Sequence, residues 1–477
     1  MNISINIKLI LKLCLLQIVF IYSLETQLMQ SLLALCCWLF WGYVFITKGS
    51  QNALYVLTII GVLSFDQSGF AFENKETQLV NFFALPVLGL YPFVTISVLF
   101  FLKSLRGFSL FQYKREILSY KSKSIDIVTY VLFFVIIGFV VGLLNDWNTG
   151  FNVDAFKYDI FRFVIILIYI PIYGYYLNDR NVINKYIELI FNFLIVCGLT
   201  LLFSILSGRV GYYGAEREVV PLIPLYSVFC TSLVAFYFSA KEKSNLLLIF
   251  VILNILLTIL FGNALGGKAW IILCISLLYV VAVSLKSKYG TILFFILIFI
   301  IINVGSLNLL TEDSVSSDKF DEFISAINVF DPNWYSSMSG SPKFRIDEFI
   351  NVYIEYKENP LYFLFGKGIG GYINDHTLTF GIFNDAAFDD LQYIKGEFYS
   401  LHESINVIFL KFGGLGLSLF LCIICKLFIS SFKFKNPYLL IGSFWLLFFV
   451  SYSYELMFFG VPCLMVGLKS IDNKKYV

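Results

Sequence analysis

The sequence predicts an all-α polytopic integral membrane protein of about 14 transmembrane helices (12–14), with one long external loop that contains an amphipathic helix. Three observations carry this expectation. The chain is 59% hydrophobic and only 14% charged, where a soluble domain is about one quarter charged. Its mean hydropathy of +0.82 is an excess of apolar side chains that needs lipid as solvent. Apolar segments of spanning length recur along the chain, and a single polar insert, 305–401, interrupts them.

A helix crosses the hydrocarbon with roughly 17–25 mostly apolar residues. Such segments are expected near 7–24, 28–47, 52–65, 80–102, 127–144, 159–177, 187–206, 222–240, 246–261, 267–285, 290–304, 402–425, 438–452 and 456–468. The segments 52–65 and 456–468 are short for the purpose. In segment 7–24, Lys8 and Lys12 precede an apolar run with no small-x-small cleavage site, and Glu25 follows, which predicts a retained helix. The chain then divides into an N-terminal helix bundle (1–304), the large loop (305–401) and C-terminal helices (402–477). No internal repeat or low-complexity tract interrupts this plan.

Lysine and arginine set the expected orientation. The connection 103–124 carries Lys103, Arg106, Lys114, Arg115, Lys121 and Lys123, and alternation puts Lys48, Arg180, Lys185, Lys241, Lys243, Lys286, Lys288, Lys433, Lys435, Lys474 and Lys475 on the same side. The opposite connections 25–27, 66–79 and 145–158 hold only Lys75 and Lys157. The positive-inside rule makes the first side cytoplasmic, with both termini on it and the long loop outside. A net charge of +2 with no basic stripe argues against a nucleic-acid partner. The nine cysteines all lie in apolar runs, which is no disulfide framework, and the Cys422-Ile-Ile-Cys425 spacing is expected to serve packing.

The long insert is acidic; it holds His376, and the chain's other histidine, His402, follows directly after it. Long connections between helices tend to be functional. Ser341-Pro342 offers a cap and a first-turn proline. Ile346, Phe349, Ile350 and Tyr353 then repeat at i, i+3, i+4 and i+7, predicting an amphipathic helix over 342–358 that lies against the membrane domain or the interface. Asn359-Pro360 ends it, and the glycine-rich turn Phe365–Gly371 follows. That turn lacks the Gly-Lys-Ser/Thr close of a nucleotide-binding loop.

Four groups could carry chemistry. His402 opens the helix after the loop, where an imidazole can act as general base, with Asn406 one turn on; the competing reading is an interfacial polar cap. Arg345, the one arginine of the long insert, and Arg209 and Arg217 in the short external loop 207–217 suit phosphate, because a guanidinium donates paired charge-assisted hydrogen bonds. Alone, each is equally an interface anchor. Lys268 is a further external cation at a helix start, and Arg162 near a helix end can snorkel. No metal cage is evident: His402 and Glu403 point to different faces, and Asp389-Asp390 is a lone pair. His376 is expected to be solvated surface.

The late segment resembles the Wzy-type O-antigen polymerase and O-antigen ligase superfamily. Arg345 opens an amphipathic helix ending at Asn359-Pro360. Phe365-Gly366-Lys367-Gly368 resembles the family's Gly-x-Gly stretch, and His402-Glu403-Ser404-Ile405-Asn406 with Gly413-Gly414-Leu415-Gly416 resembles its histidine element and glycine-rich helix. Gly208 to Arg217 resembles its smaller arginine-bearing loop. Glu403 stands where Asn or Ser is usual, Asn406 where Leu is, and Lys268 where Arg is. The resemblance implies glycosyl transfer from undecaprenyl diphosphate at a bacterial inner membrane, with the loop periplasmic and no cofactor. His402 would be the base. Arg345, Arg217, Arg209, Lys268, Glu403 and Asn406 would bind the diphosphate and substrate. A chain-length regulator and a flippase would be partners. A polymerase would extend another lipid-linked repeat unit; a ligase would use the lipid A core. A flippase or a non-catalytic glycan-binding protein are the alternatives, and the long loop and lack of repeats argue against the former.

Overall fold

The computed structural model describes residues 5–23, 26–64, 70–71, 83, 85, 91–107, 123–149, 152–208, 210–213, 218–221, 225–240, 244–265, 267–284, 333–338, 340–380, 388–451 and 454–474. The expected helix 290–304, most of the basic connection after 107 and the first part of the long insert fall outside them.

The described chain is overwhelmingly helical. Ile7–Ser23, Gln27–Lys48, Ser50–Leu63, Pro92–Gly107, Lys123–Thr149, Arg180–Leu206, Asn245–Leu265 and Gly267–Ser284 fall on expected segments. The starts are local chemistry. Thr26, Asn152, Asp179 and Asn436 each cap a helix by accepting from a backbone N–H of its first turn. Two expected helices are less regular than the apolar run suggested. Val153–Asp159 continues through a π turn, Ile160–Val164, into Ile165–Tyr176. The segment 222–240 is a 3-10 run, Leu225–Ser232, followed by Leu233–Ser239. Among the described residues, four helices are long and apolar enough to cross a membrane: Leu28–Lys48, Ile127–Asn145, Arg180–Leu206 and Ser404–Phe434.

An all-α chain was expected, and the structure corrects this in one detail. Phe70–Ala71, Val210–Tyr213 and Glu218–Pro221 form a small antiparallel sheet. Its strands come from two connections that the charge pattern puts on one side, and pairing requires them to share that side. The 145–158 connection joins the late loop in the same way: Lys395 Nζ lies 2.8 Å from Asp154 Oδ2, and Asn152 donates to Glu397.

The centre of the bundle is C-terminal. Pro437–Phe448 and Tyr454–Lys474 form a hairpin in which residues 437–446 and 456–468 are buried on every face. An all-round apolar helix belongs in an interior. Thus 456–468, short for a lipid-facing span, is the hub on which helices 50–63, 165–176 and 180–206 pack. Glycine permits the closeness: a Cβ on Gly460 would lie 1.9 Å from Trp445 Cγ. The cysteines are free, and Cys422 and Cys425, expected to pack, are exposed on the outside of their helix.

Candidate functional site

The long insert supplies the helix Gly340–Glu358, two residues longer at its start than expected. Asn359 caps the next helix, Pro360–Phe365, so the first helix stops where the sequence indicated. Its orientation is the surprise. Asp347, Glu348 and Asn351 are fully buried beside Phe344, Val352 and Tyr356, while Ile346, Phe349 and Ile350 are half-buried and Tyr353 is exposed. The expected apolar face still meets the bundle at one place, where Phe349 stacks on Phe409 at 4.9 Å. Its most buried stripe, however, mixes Asp347, Glu348 and Asn351 with Phe344, Val352 and Tyr356.

Buried carboxylates require partners, and the partner of Glu348 is the second candidate residue. His402 Nδ1 lies 2.6 Å from Glu348 Oε1, and the His402 backbone N–H donates to the same carboxylate at 3.0 Å. Asn406 Nδ2 donates to Glu348 Oε2 and to the Arg345 carbonyl, both at 2.8 Å. Arg345 Nε pairs with Glu403 Oε1 at 2.6 Å. Arg345, Glu348, His402, Glu403 and Asn406 therefore form one cluster at the start of helix Ser404–Phe434. The side chains of Arg345, Glu403 and His402 keep 30%, 20% and 32% exposure, so solute can reach them, while Glu348 is sealed beneath.

The approach to His402 is fixed by neighbours in the insert. The ring stands edge-on to Phe344 and Phe388 at 5.3 and 5.5 Å. Buried Gln392 accepts from the Tyr399 backbone N–H at 2.9 Å and donates to Ser400 Oγ at 2.8 Å, which holds the segment leading into His402. Asn351 exchanges hydrogen bonds with Thr377, tying the turn around 377 to the helix. Below it, burial pushes the Asp347 carboxyl up, and burial with the adjacent Asp347 hydrogen bond pushes the Tyr335 phenol up to about 12.

A carboxylate against Nδ1 favours the tautomer that carries the imidazole proton on that nitrogen, which leaves the lone pair on Nε2. The same carboxylate stabilises the charge the ring gains when Nε2 takes a proton. The Arg345 guanidinium is held on Glu403, the residue that follows His402. The cluster thus combines a base with a cation suited to an anionic leaving group.

The cluster is attached to the bundle through a broken helix. Helix 404–434 leaves helical geometry at Gly413, at φ 63 and ψ −164. The break removes intrahelical partners from the carbonyls one turn earlier. Tyr356 OH donates to the Phe409 and Leu410 carbonyls at 3.0 and 2.7 Å, Lys367 N–H to Leu410 at 2.8 Å, and Gly368 N–H to Lys411 at 3.0 Å. The expected glycine-rich turn is therefore a wedge that satisfies the break. It passes so close to helix 123–149 that a Cβ on Gly368, itself at φ +77, would stand 2.1 Å from the Gly142 nitrogen. Backbone cannot yield there, and Gly368→Ala is expected to destabilise the fold by about 1–3 kcal/mol, read as a lower unfolding midpoint in detergent.

Beneath the wedge lies an ion pair that sequence reading did not single out. Lys411 Nζ is 2.6 Å from Asp159 Oδ2 and donates to the Gly371 carbonyl at 2.6 Å, and the Gly370 N–H donates to Asp159 at 2.7 Å. Both side chains are essentially unexposed. Lys411 was detectable as the lone charge in the apolar run 404–425, since an ionisable residue in such a run implies a partner. Glu348 had a weaker signal, its i+3 spacing from Arg345 on one helix. His376, expected as solvated surface, is exposed, with Nε2 at 3.9 Å from Glu355, which also pairs with Lys367.

Arg209 and Arg217 lie outside the described residues, beside the strands 210–213 and 218–221. Lys268 lies in the first turn of Gly267–Ser284, and its side chain is outside the description. Glu403 and Asn406, expected to touch substrate, contact Arg345 and Glu348 within the cluster. Among the described residues no group of histidine, cysteine and carboxylate side chains could hold a metal ion. No model of a known protein family matches the chain, and no curated protein matches it.

Proposed function

We propose that the chain is a membrane glycosyltransferase that uses a lipid-diphosphate donor, and specifically a repeat-unit polymerase of the Wzy type. About fourteen helices would cross a bacterial inner membrane, with both termini cytoplasmic and the insert periplasmic. The observation that carries this reading is the junction of Arg345 and His402 through Glu348, Glu403 and Asn406.

In this reading His402 Nε2 takes the proton of an acceptor sugar hydroxyl. The oxygen attacks the anomeric carbon from the face opposite the diphosphate. The carbon–oxygen bond to the diphosphate breaks, its electrons leave with undecaprenyl diphosphate, and the new linkage is inverted. Glu348 holds the base and offsets its positive charge. Arg345 stabilises the departing anion, and for this it exchanges Glu403 for phosphate. Arg217, Arg209 and Lys268 remain candidates for the diphosphate. A flippase supplies the donor and a chain-length regulator sets the product.

The experiment is the surface-glycan ladder of a deletion strain. A polymerase deletion leaves single repeats on the lipid A core. A ligase deletion leaves no repeats on the core, and unchanged chain length with intermediates trapped inside marks a flippase. Complementation with His402→Ala restoring full polymer would remove the catalytic reading in favour of a glycan-binding protein.

A further inference from the structure

The helix Pro360–Phe365 buries none of its residues. Leu361 is 64% exposed and Phe365 48%, with Phe363 and Leu364 also outward, and exposed Tyr353 and Leu415 adjoin them. The ring of Phe363 lies 6.4 Å from that of Tyr353, so the patch is continuous across both helices of the insert. An apolar patch of this kind marks an interaction surface.

Its position says what covers it. The Leu364 backbone lies against Gly413, where a Cβ would come within 2.5 Å, and the Phe363 carbonyl lies 3.2 Å from the Cβ position of Gly414. The short helix therefore sits at the break in helix 404–434. From Gly414 to Phe434 the unbroken part rises about 31 Å at 1.5 Å per residue. That matches a hydrocarbon core of about 30 Å. Exposed Lys433 and Lys435 mark its far end, and Leu415 in its first turn already faces outward. The patch thus adjoins the outer surface of a spanning segment at the opposite boundary, where lipid tails begin.

We propose that the outward face of Pro360–Phe365, with Tyr353 and Leu415, is seated among the acyl chains at one boundary of the bilayer and anchors the insert that carries Arg345 and His402. The burial along Gly340–Glu358 fits this: the Asp347 and Glu348 carboxylates are buried in the protein, while Tyr353 is exposed beside the short helix. The nine residues Ser404–Phe412 then hold the cluster at most about 14 Å beyond the boundary, within reach of headgroups. The inference is independent of the reaction performed there.

The test places p-benzoylphenylalanine in turn at Leu361, Phe365, Leu378 and Ile394 of the full chain. Each variant is reconstituted in nanodiscs of phosphatidylethanolamine and phosphatidylglycerol, irradiated, and weighed intact. All four sites are exposed, so the added ring needs no repacking. Lipid adducts at both Leu361 and Phe365, with none at Leu378 and Ile394, are expected. No lipid adduct at either of the first two, equal adducts at the second two, or protein–protein crosslinks in place of lipid adducts would overturn the proposal. Monodisperse elution of each variant separates misfolding from a negative result.

Discussion

If His402 is the base of the proposed glycosyl transfer, His402→Ala is expected to lower that transfer by about 10²–10⁴-fold, the usual worth of a general base. The chain should still insert and elute as the parent does, because the ring is a third exposed and the helix below it is held by other contacts. Glu348→Gln discriminates more sharply. The carboxylate accepts from the His402 backbone N–H and from Asn406 and holds Nδ1. An amide keeps an acceptor and the volume, but its NH2 can donate to Nδ1 and turn the imidazole into the wrong tautomer. The expected result is a large loss in kcat with KM for the donor little changed, measured with purified lipid-linked substrate. A loss confined to KM, or none, would return His402 to the role of a helix-end cap.

Lys411→Met is the second large effect. The ammonium lies in a fully buried site with Asp159, and removing one partner of such a pair costs about 3–5 kcal/mol, because the remaining charge is left without compensation. Asp159→Asn alone strands the ammonium in the same way. The double variant Asp159→Asn/Lys411→Met leaves an amide oxygen for the Gly370 N–H and no charge. It is expected to recover most of the loss. Thermal unfolding in detergent reads all three in a double-mutant cycle. Additive losses would show that the two side chains do not act as a pair. Because Lys411 and Asp159 clamp the glycine wedge from below, the single variants should also impair the cluster, which hangs on the same broken helix.

Parts of this architecture could be read from local sequence. Helix starts followed from single residues such as Thr26, Asp179 and the Asn359-Pro360 step. The apolar runs located the helices, because transfer of a segment from water to lipid depends on its own composition. Periodicity found the helix over 342–358, two residues short of its observed start, but gave no sign that Asp347, Glu348 and Asn351 are among its most buried side chains. A moment locates an apolar face, and it points inward only if the interior is apolar. Here the interior is the cluster. The strands at 70–71 and 210–221 were missed because each is only two to four residues long, too short for a period-two pattern to register.

Residue type alone marked Arg345 and His402, since a lone arginine in an acidic insert and one of two histidines in 477 residues are chemically conspicuous. The chain itself therefore determined a helical, lipid-suited protein with one polar insert and the identity of its candidate cation and base. Only the tertiary structure decided that Glu348, one acid among many in the insert, is the partner of His402 across 54 positions. It also decided that Lys411 and the glycine wedge meet Asp159, which lies 211 positions before Gly370. The reason is that composition and period act within one segment, whereas a charge pair depends on distance in space, which no single segment contains.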